Sequence, residues 1–440
     1  MFDAITDALT KRTDLLGWTL RHITRRGSQL YAVPGAIEAV RDVAEDRYVI
    51  DVLADTTVPG GQPAAGAGNI TLLPGADIDA ASIDAAIDSA SLHAGLVRNP
   101  PYGLPGPVSL PDVPLLDEAL CGDMAGALAA AHQELADAVG SEAGVRMTAA
   151  ELFAEEKSVQ LRNSRGIEAS QRGTSLEVEW VLLARNGGKD GHEVEAFVEM
   201  QRRRLADLHL NEAVTERSGW ARDLLAARAP SQHEGAVILS GSALAEFMDT
   251  GVIQNLGSAA AKFSKSSTWK VGESIFRGPV RGDPLTVWAN RQAPYGVASD
   301  RFDAEGIPSQ RLLLIDNNRL AAFSAAQRYA EYLRVPATGG FGVIEVAPGQ
   351  TASADLRQGN HVEIAAFSAF EADDVTGDFA CEIRLGYAVN GGTRVPFKGG
   401  QFIGNYLHAL ADATWSRETG FYGIYLGPAA VRFGSLTVAP

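Results

Sequence analysis

Leu176-Glu177-Val178-Glu179-Trp180-Val181-Leu182 sets Leu176, Val178, Trp180 and Leu182 against Glu177 and Glu179. Successive side chains of a strand leave on opposite faces, so this period of two predicts an antiparallel strand with one dry and one wet face. Just upstream, Lys157–Arg162 reads as a strand and Asn163-Ser164-Arg165-Gly166 as its turn. Residues 156–185 are therefore expected to form a meander.

On the N-terminal side, residues 1–12 read as a short amphipathic helix with Phe2, Ile5 and Leu9 together. Strands are expected at Trp18–Ile23, Gln29–Val33, Tyr48–Leu53 and Asn69–Leu73, with turns at Gly27-Ser28 and in Pro59–Gly68. Ile78 to His93 has helical spacing, and a second helix is expected at about Asp117–Val139. Between them, Pro100–Pro114 holds six prolines, which lack amide donors, and reads as an extended surface connector. On the C-terminal side, Asn186–Gly191 reads as a hairpin turn. Glu193–Arg228 reads as mostly helical and charged, with Arg202-Arg203-Arg204 on a solvated face.

Beyond Ala229-Pro230 the texture changes. After Val237–Leu239 and a short helix near Ser242, short strands separated by glycine follow at Leu312–Ile315, Gly342–Val346, His361–Phe367, Cys381–Val389 and Leu436–Val438. The expectation is an α+β chain in two domains. An N-terminal α/β layered domain covers 1–229, with the connector 100–114 inside it, and a β-rich, sandwich- or barrel-like domain covers 230–440.

Bulk properties narrow the function. Hydrophobic residues at 46% and charged residues at 21% fit a globular core. A net charge of −16 repels phosphate backbones and argues against nucleic-acid binding. Cys121 and Cys381 form no CxxC pair and read as reduced thiols of a cytoplasmic protein. No signal-like segment opens the chain and no apolar run approaches the ~18 residues of a membrane span.

Common chemical motifs fail. There is no phosphate-binding glycine loop, because Lys189 sits in the expected turn and Gly66-Ala67-Gly68 continues into Asn69-Ile70. No GxSxG surrounds Ser240 or Ser242. His192-Glu193 and His233-Glu234 lack a second histidine at helical spacing, and His22, His93, His132, His209, His361 and His408 are scattered. Glu371, Asp373, Asp374 and Asp378 read as a polar turn rather than a cation site. No catalytic, cofactor-binding or metal-ligating residue is assigned.

Several elements nevertheless resemble the TldD/PmbA family, once called modulators of DNA gyrase. Ser158–Glu168 is similar to its strand–NS.G–strand unit, and Lys270–Glu273 to its lGe element. Phe302–Pro308 before Leu314-Ile315-Asp316 is similar to fD.EG.p, Val375–Phe379 to tGdf, and Gly400–Asn405 to G..i.GN. Where the catalytic branch of that family places HExxxH, this chain reads Ser242-Ala243-Leu244-Ala245-Glu246-Phe247-Met248-Asp249-Thr250-Gly251. The resemblance thus implies a TldE/PmbA-like, noncatalytic subunit whose TldD-like partner carries the zinc and cleaves unfolded or precursor peptides. The expected part of this chain is to shape the chamber and hold extended substrate. Two alternatives stay open: a stand-alone homodimeric peptide-binding or structural protein, and a hydrolase with an unrecognised site.

Overall fold

Two long hairpins build the N-terminal sheet of the computed structural model, which describes residues 1–75, 78–186 and 191–440. The strands are β1 (Leu15–Val33), β2 (Ala36–Asp55), β3 (Ala65–Leu72), β4 (Val145–Asn163), β5 (Glu168–Arg185) and β6 (Glu193–Arg202). Their order is β3-β2-β1-β4-β5-β6, every neighbouring pair antiparallel. β1 has 19 residues, so it runs ~60 Å. One face is covered by α1 (Phe2–Thr10), α2 (Ala80–Gly95), α3 (Glu118–Gly122), α4 (Met124–Gly140) and α5 (Leu210–Ala226). The strand that opened the sequence reading lies in β5, its Leu176, Val178, Trp180 and Leu182 buried with Leu128, Leu135 and Val214 of the helices.

Several expectations need correction. Gly27-Ser28 is mid-strand, and the turn falls at Pro34-Gly35, where Gly35 has φ +79°. Gly27 is glycine because an added Cβ would stand 2.4 Å from the Ala154 carbonyl oxygen. Likewise Gly66 and Gly68 belong to β3, where a Cβ would meet the Ala94 oxygen at 1.9 Å and the Ala90 oxygen at 2.1 Å. These glycines let a helix lie directly on the sheet edge; they do not mark turns. The second helix is broken at Asp123, whose carboxylate accepts from the Gly126 N–H and starts α4 afresh. Glu193–Arg202 is strand, held by a full ladder on β5 with Ala196 and Val198 buried. The turn read at Asn186–Gly191 falls largely on 187–190, outside the described residues.

The proline-rich segment is a strap between the two halves of the chain. The Pro105 carbonyl accepts from Asn163 Nδ2 at 2.8 Å, that of Pro111 from Arg301 Nε at 3.0 Å and that of Pro100 from the Tyr332 hydroxyl at 2.6 Å. Proline removes donors but leaves every carbonyl available, and those carbonyls do the fastening.

The C-terminal half holds two sheets. In the first, β7 (His233–Ser240) lies between 361–367 and 430–439; 401–405 and 378–390 follow, and 378–390 pairs back onto 361–367. These five strands close into a barrel. In the second, 319–320, 311–316, 287–290, 343–346, 425–428 and 419–422 are neighbours in that order. A shared core links them, with Phe247, Phe402, Tyr406, Trp415, Tyr425 and Phe433 almost wholly buried. The α+β fold class and the β-rich C-terminal half are as expected.

Candidate functional site

Directly after β7 the chain turns into α6 (Gly241–Met248). Ala243, Leu244, Phe247 and Met248 are buried against the barrel core, with Phe247 stacked on Tyr406 at 4.5 Å between centroids. The other face of the helix, continued one residue past its end, presents Ser242, Ala245, Glu246 and Asp249 to a cleft of about 700 Å³. The opposite walls are Val198–Arg202 of β6, His209, Glu212, Glu216 and Arg217 from α5, and Tyr422-Gly423-Ile424.

Burial without a bonded partner dominates the chemistry of this cleft. It pushes the Glu246 carboxyl up to about 7, against a smaller opposing pull from Arg217, and raises Asp249 as well. Arg217 lies over the Trp220 ring at 3.8 Å and reaches Glu216 at 3.7 Å. Arg202 is occupied by the carbonyls of Asp207 at 3.0 Å and Gln201 at 2.8 Å. The α6 positions facing the cleft therefore supply a hydroxyl, a methyl and two carboxyls, with no imidazole or thiolate. That donor set does not fit the nitrogen and sulfur ligands of a zinc site.

The histidines are dispersed and locally engaged. His22 stacks on Tyr48 at 4.3 Å and bonds Asp46 at 2.8 Å, while His93 bonds the Asn69 carbonyl and His361 that of Gly359. His192 is exposed just ahead of β6, and His233 at the start of β7 bonds the Ala236 carbonyl. His132 is half-buried, His209 starts α5 and His408 is exposed on a separate cleft. Among the described residues, the one group of three with ligand atoms close enough for an ion is Glu177, Glu179 and Glu199 on the wet face of β5 and β6. Crowded burial pushes Glu179 to about 7. The cysteines are free, and burial raises both thiols.

Three of the motif elements prove to be turns with one shared design. Asn163 Oδ1 accepts from the N–H groups of Arg165 and Ile167, both at 3.0 Å; Asp303 Oδ1 accepts from Glu305 and Ile307, both at 2.9 Å. Each loop closes through a left-handed glycine, Gly166 at φ +91° and Gly306 at φ +89°. The two meet, since a Cβ on Gly306 would stand 3.0 Å from Ile167, and Phe302 fills the apolar cluster of Ile23, Val159, Leu161 and Ile167. Asp373 repeats the device for Val375 and Thr376, so the acidic run 371–378 is a turn. Asn405 ties that turn to the helix it caps.

The arginine triplet is not a solvated helix face. Arg203 donates to the carbonyls of Gly296 (2.7 Å), Thr174 (2.9 Å), Val297 (3.1 Å) and Ser299 (2.8 Å), and Arg204 stacks on Tyr295 at 4.0 Å. Sequence reasoning missed both this clamp and the Glu246 cleft. The available signal for the cleft was two acids, Glu246 and Asp249, on an otherwise apolar helix.

A closed barrel that carries a short acidic-faced helix over an open cleft, strapped to a long-stranded antiparallel sheet, defines a two-part α+β architecture. Residues 232–440 match the family described as PmbA/TldA metallopeptidase C-terminal domain. An uncharacterized protein of Methanocaldococcus jannaschii is 24% identical over 216 residues, 46% of this chain; the chain spans about half (51%) of that relative's length. Among solved structures, a protein described as a candidate modulator of a DNA gyrase from Thermotoga maritima superposes with a TM-score of 0.80 at 18% identity, covering 100% of both chains. TldE from Thermococcus kodakarensis gives 0.78 at 16% identity, covering 99% of this chain and 100% of the other. At such identities the likeness is one of fold.

Proposed function

We propose that this chain is the noncatalytic, TldE-like member of a two-subunit zinc peptidase. It forms part of the wall around an extended peptide that a TldD-like partner cleaves. One observation carries the reading: the helix after the first barrel strand, where the resemblance places the zinc-binding histidines, presents Ser242, Ala245, Glu246 and Asp249 to the cleft instead. The scattered, locally bonded histidines support it, and so does the fold shared with TldE of Thermococcus kodakarensis. In this role the chain moves no proton and activates no water. Its contribution is position: backbone and carboxyl groups that fix a peptide beside the partner's metal.

The test is reconstitution with a partner bearing HExxxH. The expected result is co-purification of the two chains and zinc-dependent cleavage of an unfolded peptide by the mixture alone. Cleavage by the isolated chain, lost on chelation and restored by zinc, would overturn the proposal. Refusal to pair in favour of self-association would point to the homodimeric alternative.

A further inference from the structure

β6 is the outermost strand of its sheet, laddered to β5 on one side only. Five consecutive residues, Val198 to Arg202, line the cleft under α6. Consecutive residues point to opposite faces of a strand, so a wall containing all five is the strand's free edge, with its outward N–H and C=O groups. Across the cleft, Tyr422 ends strand 419–422, the outermost strand of the second C-terminal sheet. The cleft is thus bounded by two sheet edges.

Charge selects the occupant. Glu199, Glu212, Glu216, Glu246 and Asp249 line the space against Arg202 and Arg217. Arg202 is spent on backbone carbonyls and Arg217 sits over the Trp220 ring. Among the described residues, neither the Glu246 nor the Asp249 carboxyl is hydrogen-bonded, and Glu246 feels only the nearby charge of Arg217. Glu246 is half-buried and Asp249 exposed at its side, and a half-buried acid with vacant acceptor sites gains most from a charged donor brought in by a ligand. A lysine or arginine stem could lie along Ala245 and Tyr422 on its way to them.

We propose that the cleft takes an extended basic peptide as an added strand on β6, with a lysine or arginine side chain of that peptide seated against Glu246 and Asp249. Main-chain hydrogen bonds along the edge supply affinity that is indifferent to sequence, and the carboxyl pair supplies the preference for a cation. The inference rests on the peptide-handling reading above but not on the pairing, because every group named belongs to this chain.

The probe is a short fluorescent peptide rich in valine and threonine with one central lysine, titrated into the full chain without any partner and followed by anisotropy. Its counterparts carry norleucine or glutamate at the centre, or N-methyl groups on alternate amides. Lysine is expected to bind about tenfold more tightly than norleucine, with glutamate weaker still. Glu246→Gln combined with Asp249→Asn brings lysine down to the norleucine level, and N-methylation on the β6-facing amides abolishes binding. Glu246→Gln alone gives an intermediate loss and serves if the double variant fails to fold.

Equal affinity for lysine and norleucine overturns the proposal, as does binding unaffected by either variant or by N-methylation. Stoichiometric uptake of a divalent ion at these carboxyls, with no peptide preference, overturns it too. A chain that pairs with its partner yet shows no lysine preference sinks this inference alone. One that binds the peptide yet never pairs sinks only the companion-subunit reading.

Discussion

Arg203→Met removes one side chain that joins three segments of the chain. The guanidinium donates to four carbonyls: Thr174 on β5, and Gly296, Val297 and Ser299 on the loop that leads to Asp300 and Phe302. Methionine keeps the aliphatic packing but supplies no donor. Each carbonyl left unpaired in a half-buried setting costs ~1–3 kcal/mol, and the three on one loop can relax together. A total of about 3–5 kcal/mol follows, at the upper end for a single substitution. Arg203→Lys restores the charge but gathers its donors on one atom, so it cannot span four acceptors and recovers less than half. Arg204→Met is the control. It loses a ring contact at 4.0 Å and a partly exposed pair with Asp207, a cost below ~1 kcal/mol. Urea unfolding gives the stabilities, and hydrogen exchange reports whether residues 296–299 open locally. Equal costs for Arg203→Met and Arg204→Met, or unchanged exchange at 296–299, would refute the clamp.

Three further outcomes follow from the geometry. Glu246 has a folded-state value of about 7 against an ordinary 4.5, so the folded chain binds its proton more tightly than the unfolded one. Stability therefore falls as pH rises from 4.5 to 7, and the deficit is complete above that, at ~2–3 kcal/mol. Glu246→Gln should raise the melting temperature at pH 8 and leave it unchanged near pH 4; the same gain at both would discredit the desolvated carboxyl. Gly68→Ala places a methyl 2.1 Å from the Ala90 carbonyl oxygen and should cost ~2–3 kcal/mol in urea unfolding. Gly219→Ala, in open space on α5, should instead stabilise by up to ~1 kcal/mol. A similar sign for the two glycine variants would contradict the close approach of α2 to β3.

Local patterning made part of this protein legible. The alternation in 176–182, the amphipathic spacing of Phe2, Ile5 and Leu9, and the change of texture past Pro230 each report a periodic burial that a strand, a helix or a short-stranded sheet imposes on neighbouring residues. Glu193–Arg202 was misread although Val194, Ala196, Val198 and Met200 alternate with Glu195, Phe197 and Glu199. The strand's stability comes from the β5 ladder, which overrides the helix preference of glutamate, alanine and methionine.

The glycines at 27, 66 and 68 lie inside strands instead of at turns, unlike Gly166 and Gly306. Gly27, Gly66 and Gly68 are needed because another backbone passes within van der Waals reach, and that backbone lies about 22 to 127 residues away in sequence.

By itself, then, the sequence determined the α+β class, the short barrel strands and the want of a histidine on α6, because each is written in residues adjacent along the chain. Only the tertiary structure decided that the proline segment is a strap, that Arg203 is a clamp, and that Glu246 and Asp249 face a free strand edge. Those roles depend on which carbonyls, carboxyls and edges meet across long separations, and hydrogen bonding and desolvation act through space rather than along the chain.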